Sequence, residues 1–179
     1  TQEHLGYREY QAVPWGYADE PIRVMLGPQE GHFQPESVRQ FLDSDYQVTS
    51  QMDRMGVRLQ GSPLAHVTPE AADIVSDGVT PGTIQVPGNG QPIILLADCQ
   101  TVGGYPKIAT VISADLPRLG QLQPEQSIRF CAVTHAQARQ ALLDREAQWD
   151  SWVSGIAFGL PNPSALYNDL SSVWGAADD

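Results

Sequence analysis

Short runs rich in apolar and β-branched residues recur along most of this chain, bounded by turn residues such as glycine and proline, and such runs are typical of β-strands. The runs predict strands over residues 22–26, 46–50, 57–60, 84–86, 93–97, 107–113 and 127–133. The fourth and fifth strands form a hairpin candidate, because PGNGQP between them supplies glycines that can adopt positive φ. The pattern therefore indicates a β-rich domain.

Two segments follow a helical period instead. Residues 35–43 start with a proline, which is preferred in a first helical turn, and their apolar side chains fall on one face. A second helix is expected over about residues 134–152, since Thr134 and Gln137 have the spacing of a capping box. The expected fold thus combines several strands with two or three helices.

These elements divide the chain into an N-terminal connecting segment (1–21), a domain (22–133) and a C-terminal helix with a tail (134–179). Because the chain starts at Thr1 without an initiator methionine, we expect it to be processed or to be a piece of a longer protein. No run approaches the ~18 apolar residues of a membrane span. No signal peptide opens the chain, so we expect a cytoplasmic location.

The composition supports a globular β-rich chain and excludes some partners. Hydrophobic residues make up 41% of the sequence, and the 16 glycines and 14 prolines indicate many turns. The formal charge of −11 would repel phosphate backbones and anionic membranes, so we expect neither nucleic acid nor membrane as a partner. Two cysteines without a secretory signal make a disulfide framework improbable.

Several familiar site signatures are absent from the sequence. The four histidines have no metal-ligand spacing and neither cysteine belongs to a CxxC motif, so we expect no metal site. The chain also lacks GxSxG, Walker A and GxGxxG motifs. A Cys99 nucleophile would need a histidine brought from elsewhere in the fold, and a packing role is the simpler interpretation.

The first candidate site is QTVGGYPK, which holds the chain's single lysine, Lys107. Gly103 and Gly104 could turn the backbone so that consecutive N–H groups form an anion nest beside the ammonium group. Asp98, Gln100 and Thr101 add donors and acceptors at the end of the preceding strand, where sites often lie. The alternative is an ordinary turn with a surface lysine.

Two further segments carry candidate chemistry. In MDRMGVRL, the guanidinium groups of Arg54 and Arg58 could clamp a carboxylate, or Asp53 could pair with an arginine to hold the connection. In SDGVTPGTIQVPGNGQP, Asp77 and Gln85 are candidate ligand contacts, although a glycine-rich hairpin needs no ligand to explain it.

The segments DRMGVRL, DGVTPGTIQVP, GQPIILLAD, QTVGGYPKIA and PEQSIRF occur here in an order that identifies a family. Together they resemble the allophanate hydrolase subunit 2 family, also called the biotin-dependent carboxyltransferase family or the family of 5-oxoprolinase C subunits, which includes the regulator KipA. The match runs over residues 22–133, which the resemblance makes a carboxyltransferase-like domain portion. The family's glycine-rich N-terminal half is not found, so the chain resembles the C-terminal portion of the module.

The resemblance implies a mainly β fold, a cyclophilin-like β-barrel. It also implies a KipI-like (allophanate hydrolase subunit 1) partner, a LamB/YcsF-type partner and the missing half of the module. The expected function is ATP-dependent cleavage of 5-oxoproline to glutamate, with this portion inactive alone. The alternatives are a KipA-like regulator of a kinase inhibitor, or the part of urea carboxylase that passes carboxyl from carboxybiotin to urea. ATP or carboxybiotin would be met only through the full complex.

The resemblance nominates site residues by their match to the family motifs. The expected catalytic residues are Lys107, Arg58 and Asp98. The expected substrate-binding residues are Arg54, Gln85, Gln100, Thr101, Gly103, Gly104 and Tyr105. Where the family often has arginine followed by QTTGGYPK, this chain has Cys99 and Val102. A positive charge and a hydroxyl are therefore missing at the motif, and activity would be weakened if either one contacts the substrate.

Overall fold

The computed structural model describes residues 20–157, except for the side chains of Trp152 and of residues 154–157. The described residues fall into two units, one over residues 20–142 and one that contains the helical stretch over 143–157. The tail predicted after the helix and most of the predicted connecting segment lie outside the described residues.

Within the described residues the chain forms ten strands. They are β1 (Ile22–Leu26), β2 (Tyr46–Met52), β3 (Gly56–Gln60), β4 (Asp77–Gly78), β5 (Thr83–Gln85), β6 (Ile93–Leu95), β7 (Val102–Gly103), β8 (Lys107–Val111), β9 (Ser127–Ile128) and β10 (Phe130–Ala132). Each predicted strand except the one over 127–133 has a counterpart, and β5 and β6 pair antiparallel as the predicted hairpin requires.

Eight strands form one sheet in the order β10-β1-β8-β5-β6-β3-β2-β9. The strands at its two ends, β9 and β10, are separated by Arg129 alone, so the sheet curls into a nearly closed barrel. The predicted single strand over 127–133 is therefore wrong. The chain changes partner at Arg129, because Ile128 pairs with Tyr46 on one edge while Phe130 pairs with Ile22 on the other.

The barrel interior is filled by the inward faces of its strands, including Val24, Val48 and Ile84, which have no exposed surface. Burying an aliphatic side chain of this size contributes about 1.5–3 kcal/mol. One end is occupied by aromatic rings, since the centroids of Phe41 and Phe130 stack 4.6 Å apart.

Three α-helices occur in the described part: α1 (Pro35–Asp43), α2 (Leu116–Leu119) and α3 (His135–Ala157). The bounds of α1 are those predicted, and α3 continues five residues beyond the predicted end. The capping box of α3 is confirmed, because Thr134 N donates to Gln137 Oε1 at 2.8 Å and Gln137 N donates to Thr134 Oγ1 at 3.3 Å.

Two short 3₁₀ turns complete the regular structure, at Glu30–His32 and Pro69–Ala72. None of the helices that the structure describes has the length and apolar character to cross a membrane. A mainly β barrel with two or three helices, the predicted fold class, is confirmed.

The strands β4 and β7 form a separate two-stranded sheet, which the sequence did not predict. Its pairing is extended at both ends, because Ile74 N donates to Gly104 O at 2.8 Å and Val79 N donates to Thr101 O at 3.0 Å. We call residues 74–79 and 101–104 the ribbon. The ribbon matters because of what it covers on the barrel.

Candidate functional site

Four side chains form a line across the outer face of the barrel wall. The register of β3, β6, β5 and β8 places Arg58 opposite Ile93, Ile93 opposite Gln85, and Gln85 opposite Lys107. Residues directly opposite each other in antiparallel strands share a face of the sheet. The β5–β8 register shifts between Ile84 and Gln85, and this irregularity brings Lys107 opposite Gln85. We call this line the outer row: Arg58, Ile93, Gln85 and Lys107. Three of its members are residues that the family resemblance nominates.

The ribbon covers part of the outer row. Gln85 is only 3% exposed and Lys107 only 5%, although both lie on the outer face of the barrel. Gly103 packs so closely on Gln85 that a Cβ atom at this glycine would lie 2.5 Å from Gln85 Nε2. On the other strand of the ribbon, Asp77 and Gly78 contact the ammonium group of Lys107. The QTVGGYPK and SDGVTP segments thus supply the two ribbon strands that cover Gln85 and Lys107.

A cavity of about 490 Å³ opens along the row from Arg58 through Ile93 to Gln85. Four nominated residues line it: Arg58, Gln85, Gln100 and Tyr105. Asp53, which the sequence analysis considered as the partner of an arginine, lines it too. Sequence reasoning missed the other lining residues, which come from the β2–β3 hairpin and from β6: Ser50, Gln51, Met52, Met55, Gly56, Ile93 and Leu95. The remaining nominated residues do not line this cavity: Arg54, Asp98, Thr101, Gly103, Gly104 and Lys107.

Lys107 is held by a carboxylate of its own chain. Its Nζ lies 2.5 Å from Asp77 Oδ2 and donates to Gly78 O at 3.1 Å. Gln29 braces the pair, because its Nε2 donates to Asp77 Oδ2 at 3.3 Å while its Oε1 accepts from Lys107 N at 3.2 Å. The hydrogen bond from Lys107 lowers the pKa of Asp77. The lysine is therefore a buried, fixed charge rather than the surface lysine of the alternative interpretation.

The predicted anion nest at Gly103 and Gly104 is wrong. Neither glycine has positive φ; among the described glycines only Gly82 and Gly90 do. Gly103 instead pairs in extended conformation with Asp77. What the glycine provides is close approach, because the space that a side chain would take is occupied by Gln85.

The predicted clamp of two guanidinium groups is also not formed. Arg54 Nε lies 2.7 Å from Asp98 Oδ2, and this pair is open to solvent, with 85% of the arginine side chain exposed. An exposed pair of this kind contributes little to stability. The alternative of an internal Asp–Arg pair holds, but with Asp98 in place of Asp53, whose Oδ1 accepts from the backbone N–H groups of Met55 and Gly56.

The two positions that depart from the family pattern lie away from the cavity wall. Cys99 is a half-buried free thiol, and Val102 is exposed in the ribbon. Neither lines the cavity. Within residues 20–157 no group of three or more histidine, cysteine, aspartate or glutamate side chains could hold a metal ion.

The cavity is lined by one guanidinium (Arg58), one carboxylate (Asp53), neutral amides and apolar side chains. Arg58 can pair with an anion, while Gln85 and Gln100 offer amide donors and acceptors. Gln85 uses Nε2 to donate to Tyr105 O at 3.2 Å, and its Oε1 has no protein partner in the described part of the chain. Such a lining suits a small polar molecule that carries an anionic group and an amide-like group.

Comparison of the sequence with known proteins identifies the family of this chain. The sequence model described as "Carboxyltransferase domain, subdomain A and B" matches residues 2–132. The chain is 41% identical over 129 residues to the C subunit of 5-oxoprolinase from Escherichia coli, which covers 72% of this chain and 41% of that protein. It is 39% identical over 150 residues to the C subunit of 5-oxoprolinase from Haemophilus influenzae, covering 84% of this chain and 48% of that one.

Solved structures of related proteins are similar in fold to this chain. The urea amidolyase of K. lactis superposes with a TM-score of 0.70 at 26% identity, over 74% of this chain and 8% of that one. The protein TTHA0988 superposes with a TM-score of 0.54 at 35% identity, over 63% of this chain and 21% of that one. This chain spans less than half the length of the two curated relatives. The family predicted from the motifs is confirmed, and the chain belongs to the carboxyltransferase domain family, subdomains A and B.

Proposed function

We propose that this chain is the C-terminal portion of a protein equivalent to the C subunit of 5-oxoprolinase, which cleaves 5-oxoproline to glutamate with ATP in a complex with other subunits. The identity of 41% to the E. coli protein supports the assignment. The single structural observation that carries it is the outer row, in which a buried amide lies between a cavity-lining guanidinium and a buried ammonium group.

Each polar member of the outer row has a distinct role in the proposal. Arg58 binds the substrate carboxylate, because a guanidinium can hold a carboxylate through two parallel hydrogen bonds. Gln85 binds the amide of the lactam ring. Lys107, the cross-strand neighbour of Gln85, contributes positive potential at the carbonyl where negative charge develops, and this effect is largest in a site that excludes water.

The remaining nominated residues surround this centre. Gln100 and Tyr105 bind substrate from the cavity wall, while Thr101, Gly103 and Gly104 act through the ribbon. Asp98 and Arg54 lie beyond the cavity lining as an ion pair. In the proposal Asp98 reaches the reaction only after its pair with Arg54 opens on assembly with a partner protein.

The proposal requires partners. A KipI-like protein, a LamB/YcsF-type protein and the other half of the module would complete the cavity, since the chain spans only 41% of the E. coli relative. ATP would be contacted through that complex, and we assign no cofactor to this chain alone. The short portion described is accordingly expected to be inactive by itself.

A second function is favoured by a separate observation. The TM-score of 0.70 to the urea amidolyase of K. lactis is higher than the score for TTHA0988. A role as the carboxyltransferase part of a urea carboxylase is therefore the alternative. The open Oε1 of Gln85 would also fit the ureido group of carboxybiotin, which supplies the carboxyl group when it is bound.

Reconstitution tests the proposed function. The full-length protein that contains this chain is mixed with its two partner proteins, and glutamate release from 5-oxoproline is followed with and without ATP. We expect ATP-dependent release that falls by about 10²-fold in Lys107→Ala, the usual effect of removing one electrostatic stabiliser. The proposal is refuted if the parent complex releases no more glutamate than the Lys107→Ala complex. Urea-dependent consumption of carboxybiotin in its place would establish the alternative.

A further inference from the structure

The Gln85 carboxamide is oriented by a contact that fixes which of its atoms face the cavity. Its Nε2 donates to Tyr105 O at 3.2 Å, and a backbone carbonyl can only accept a hydrogen bond. The amide nitrogen must therefore point at Tyr105. Oε1 and the second N–H group remain, and Gln85 is one of the residues that line the cavity.

Most of the Gln85 side chain is covered, and its carboxamide reaches the cavity. Gln85 is 3% exposed, and its neighbour in the outer row is the apolar Ile93. Within the described residues Oε1 is not one of the buried atoms that lack a partner, so it is open to the cavity, where water or a ligand can reach it. A ligand that enters the cavity can therefore complete the hydrogen bonds of this amide.

The free atoms of Gln85 define the group that completes them. One acceptor and one N–H donor match a ligand that presents a donor and an acceptor on one edge, as the N–H and C=O of a ring amide or ureide do. A carboxylate would place its oxygens against Oε1 without offering a donor. The carboxylate of a ligand is better placed at Arg58, two strands away, which is about 10 Å between Cα atoms.

We infer that Gln85 is the specificity-determining residue for the ring amide of the ligand, and that Gly103 is a positioning residue which holds Gln85 in that orientation. The inference rests on the proposed function in taking this cavity as the substrate site. It adds that Oε1 and the second N–H group of Gln85 are the atoms that recognise the ring amide. The ligand class is a small lactam or ureide that also carries an anionic group.

Gly103 is part of the inference because it packs against the amide of Gln85. A Cβ atom there would lie 2.5 Å from Gln85 Nε2 and 3.3 Å from Oε1, so alanine would push the amide out of position. The backbone of Gly103 has no positive φ, so alanine would not be strained by conformation alone. Gly31 is the matched control, because a Cβ atom there meets nothing within 4 Å.

The test measures binding of three probes to the full-length protein, alone and with its partner proteins, by calorimetry. The probes are 5-oxoproline, neutral 2-pyrrolidinone and proline, which has the carboxylate but no lactam. We expect 5-oxoproline to bind more tightly than proline. Gln85→Met should weaken both lactams by at least about tenfold, the effect of losing two hydrogen bonds, and leave proline unchanged. Gly103→Ala should act in the same direction, while Gly31→Ala matches the parent.

The outcomes separate this inference from the proposed function. If lactam binding depends on Gln85 but no glutamate is released, the proposed function fails and the inference stands. If glutamate is released and Gln85→Met leaves the KM for 5-oxoproline unchanged, the inference fails and the function stands. Equal binding of 5-oxoproline and proline by the parent, in both forms, would also overturn it. Thermal unfolding confirms that each variant is folded.

Discussion

Two charged clusters of the barrel differ in which partner is buried. At the first, Asp115 is 2% exposed and accepts four hydrogen bonds, three from Arg23 and one from Arg118. Arg118 also donates to the backbone carbonyls of Pro21 and Glu20. The hydrogen bond with Asp115 raises the pKa of Arg23. This cluster ties the start of β1 to α2.

At the second cluster the buried member is the amine. The side chain of Lys107 is 6% exposed while that of its partner Asp77 is 56% exposed, on a ribbon of two short strands. A buried carboxylate with every hydrogen bond filled by the barrel fixes structure. The carboxylate partner of Lys107 is in contact with water, and we propose that this difference separates a structural cluster from a substrate site.

The largest effect is expected at the structural cluster. Asp115→Ala removes the carboxylate beside the buried guanidinium of Arg118 and should lower the free energy of unfolding by roughly 3–5 kcal/mol. Urea denaturation followed by circular dichroism measures the change. A loss below about 1 kcal/mol, the value of a surface ion pair, would mean that the two clusters do not differ as described.

A smaller and asymmetric effect is expected at the site cluster. Asp77→Ala leaves the ammonium of Lys107 buried with Gly78 O as its remaining acceptor, and should lower the free energy of unfolding more than the loss of the amine does. Lys107→Met leaves an exposed carboxylate that water solvates, and should cost less than about 1 kcal/mol. The same denaturation experiment compares the two variants. If Lys107→Met lowered stability more than Asp77→Ala, the carboxylate rather than the amine would be the group that needs its partner in the folded protein.

The pH dependence of the site cluster follows from Asp77. Its pKa is lowered in the folded protein, so its contribution to stability is present above the ordinary value of 3.8 and is lost as the pH falls through the lowered pKa. We therefore expect the stability difference between parent and Asp77→Asn to shrink below that ordinary value. Denaturation at a series of acidic pH values measures it. A difference that stays constant or widens with acidification contradicts the pairing.

The smallest effect is expected at Tyr46, which gives a reference for a polar atom without a partner. Its hydroxyl is buried in the barrel and has no hydrogen-bond partner in the described structure, and burial raises the pKa of Tyr46 to about 12. Tyr46→Phe should leave stability unchanged or raise it by up to about 1 kcal/mol. A destabilisation larger than that amount would contradict this description and would mean that the hydroxyl has a hydrogen-bond partner in the folded protein.

Local signals in the sequence predicted much of the framework. The bounds of β1 and α1 agree with the structure, because alternation and an N-terminal proline are local features. The capping box of Thr134 was readable for the same reason. The break between β9 and β10 at Arg129 could not be predicted from local signals. It arises from closure of the barrel, because the residues on either side of Arg129 pair with strands at opposite edges of the sheet.

The site was predictable in part. The family motifs nominated Arg58, Gln85 and Lys107, and the structure aligns them in one row. The partner of Lys107 was not identified, because Asp77 lies 30 residues earlier and its strand has only two residues, too short for any period. Met52 and Met55 lie in the quoted MDRMGVRL segment but were missed, because only its charged side chains carried candidate chemistry.

The central claim is that the outer row and its cavity bind the substrate, and Arg58 tests it most directly. The KM for 5-oxoproline is measured in the reconstituted complex for Arg58→Met and for Arg39→Met, the same change at an exposed arginine that pairs with Glu36 on α1. Loss of a charge-assisted contact should raise the KM at least about tenfold for Arg58→Met. Arg39→Met should match the parent, and equal KM values for the two variants would contradict the account.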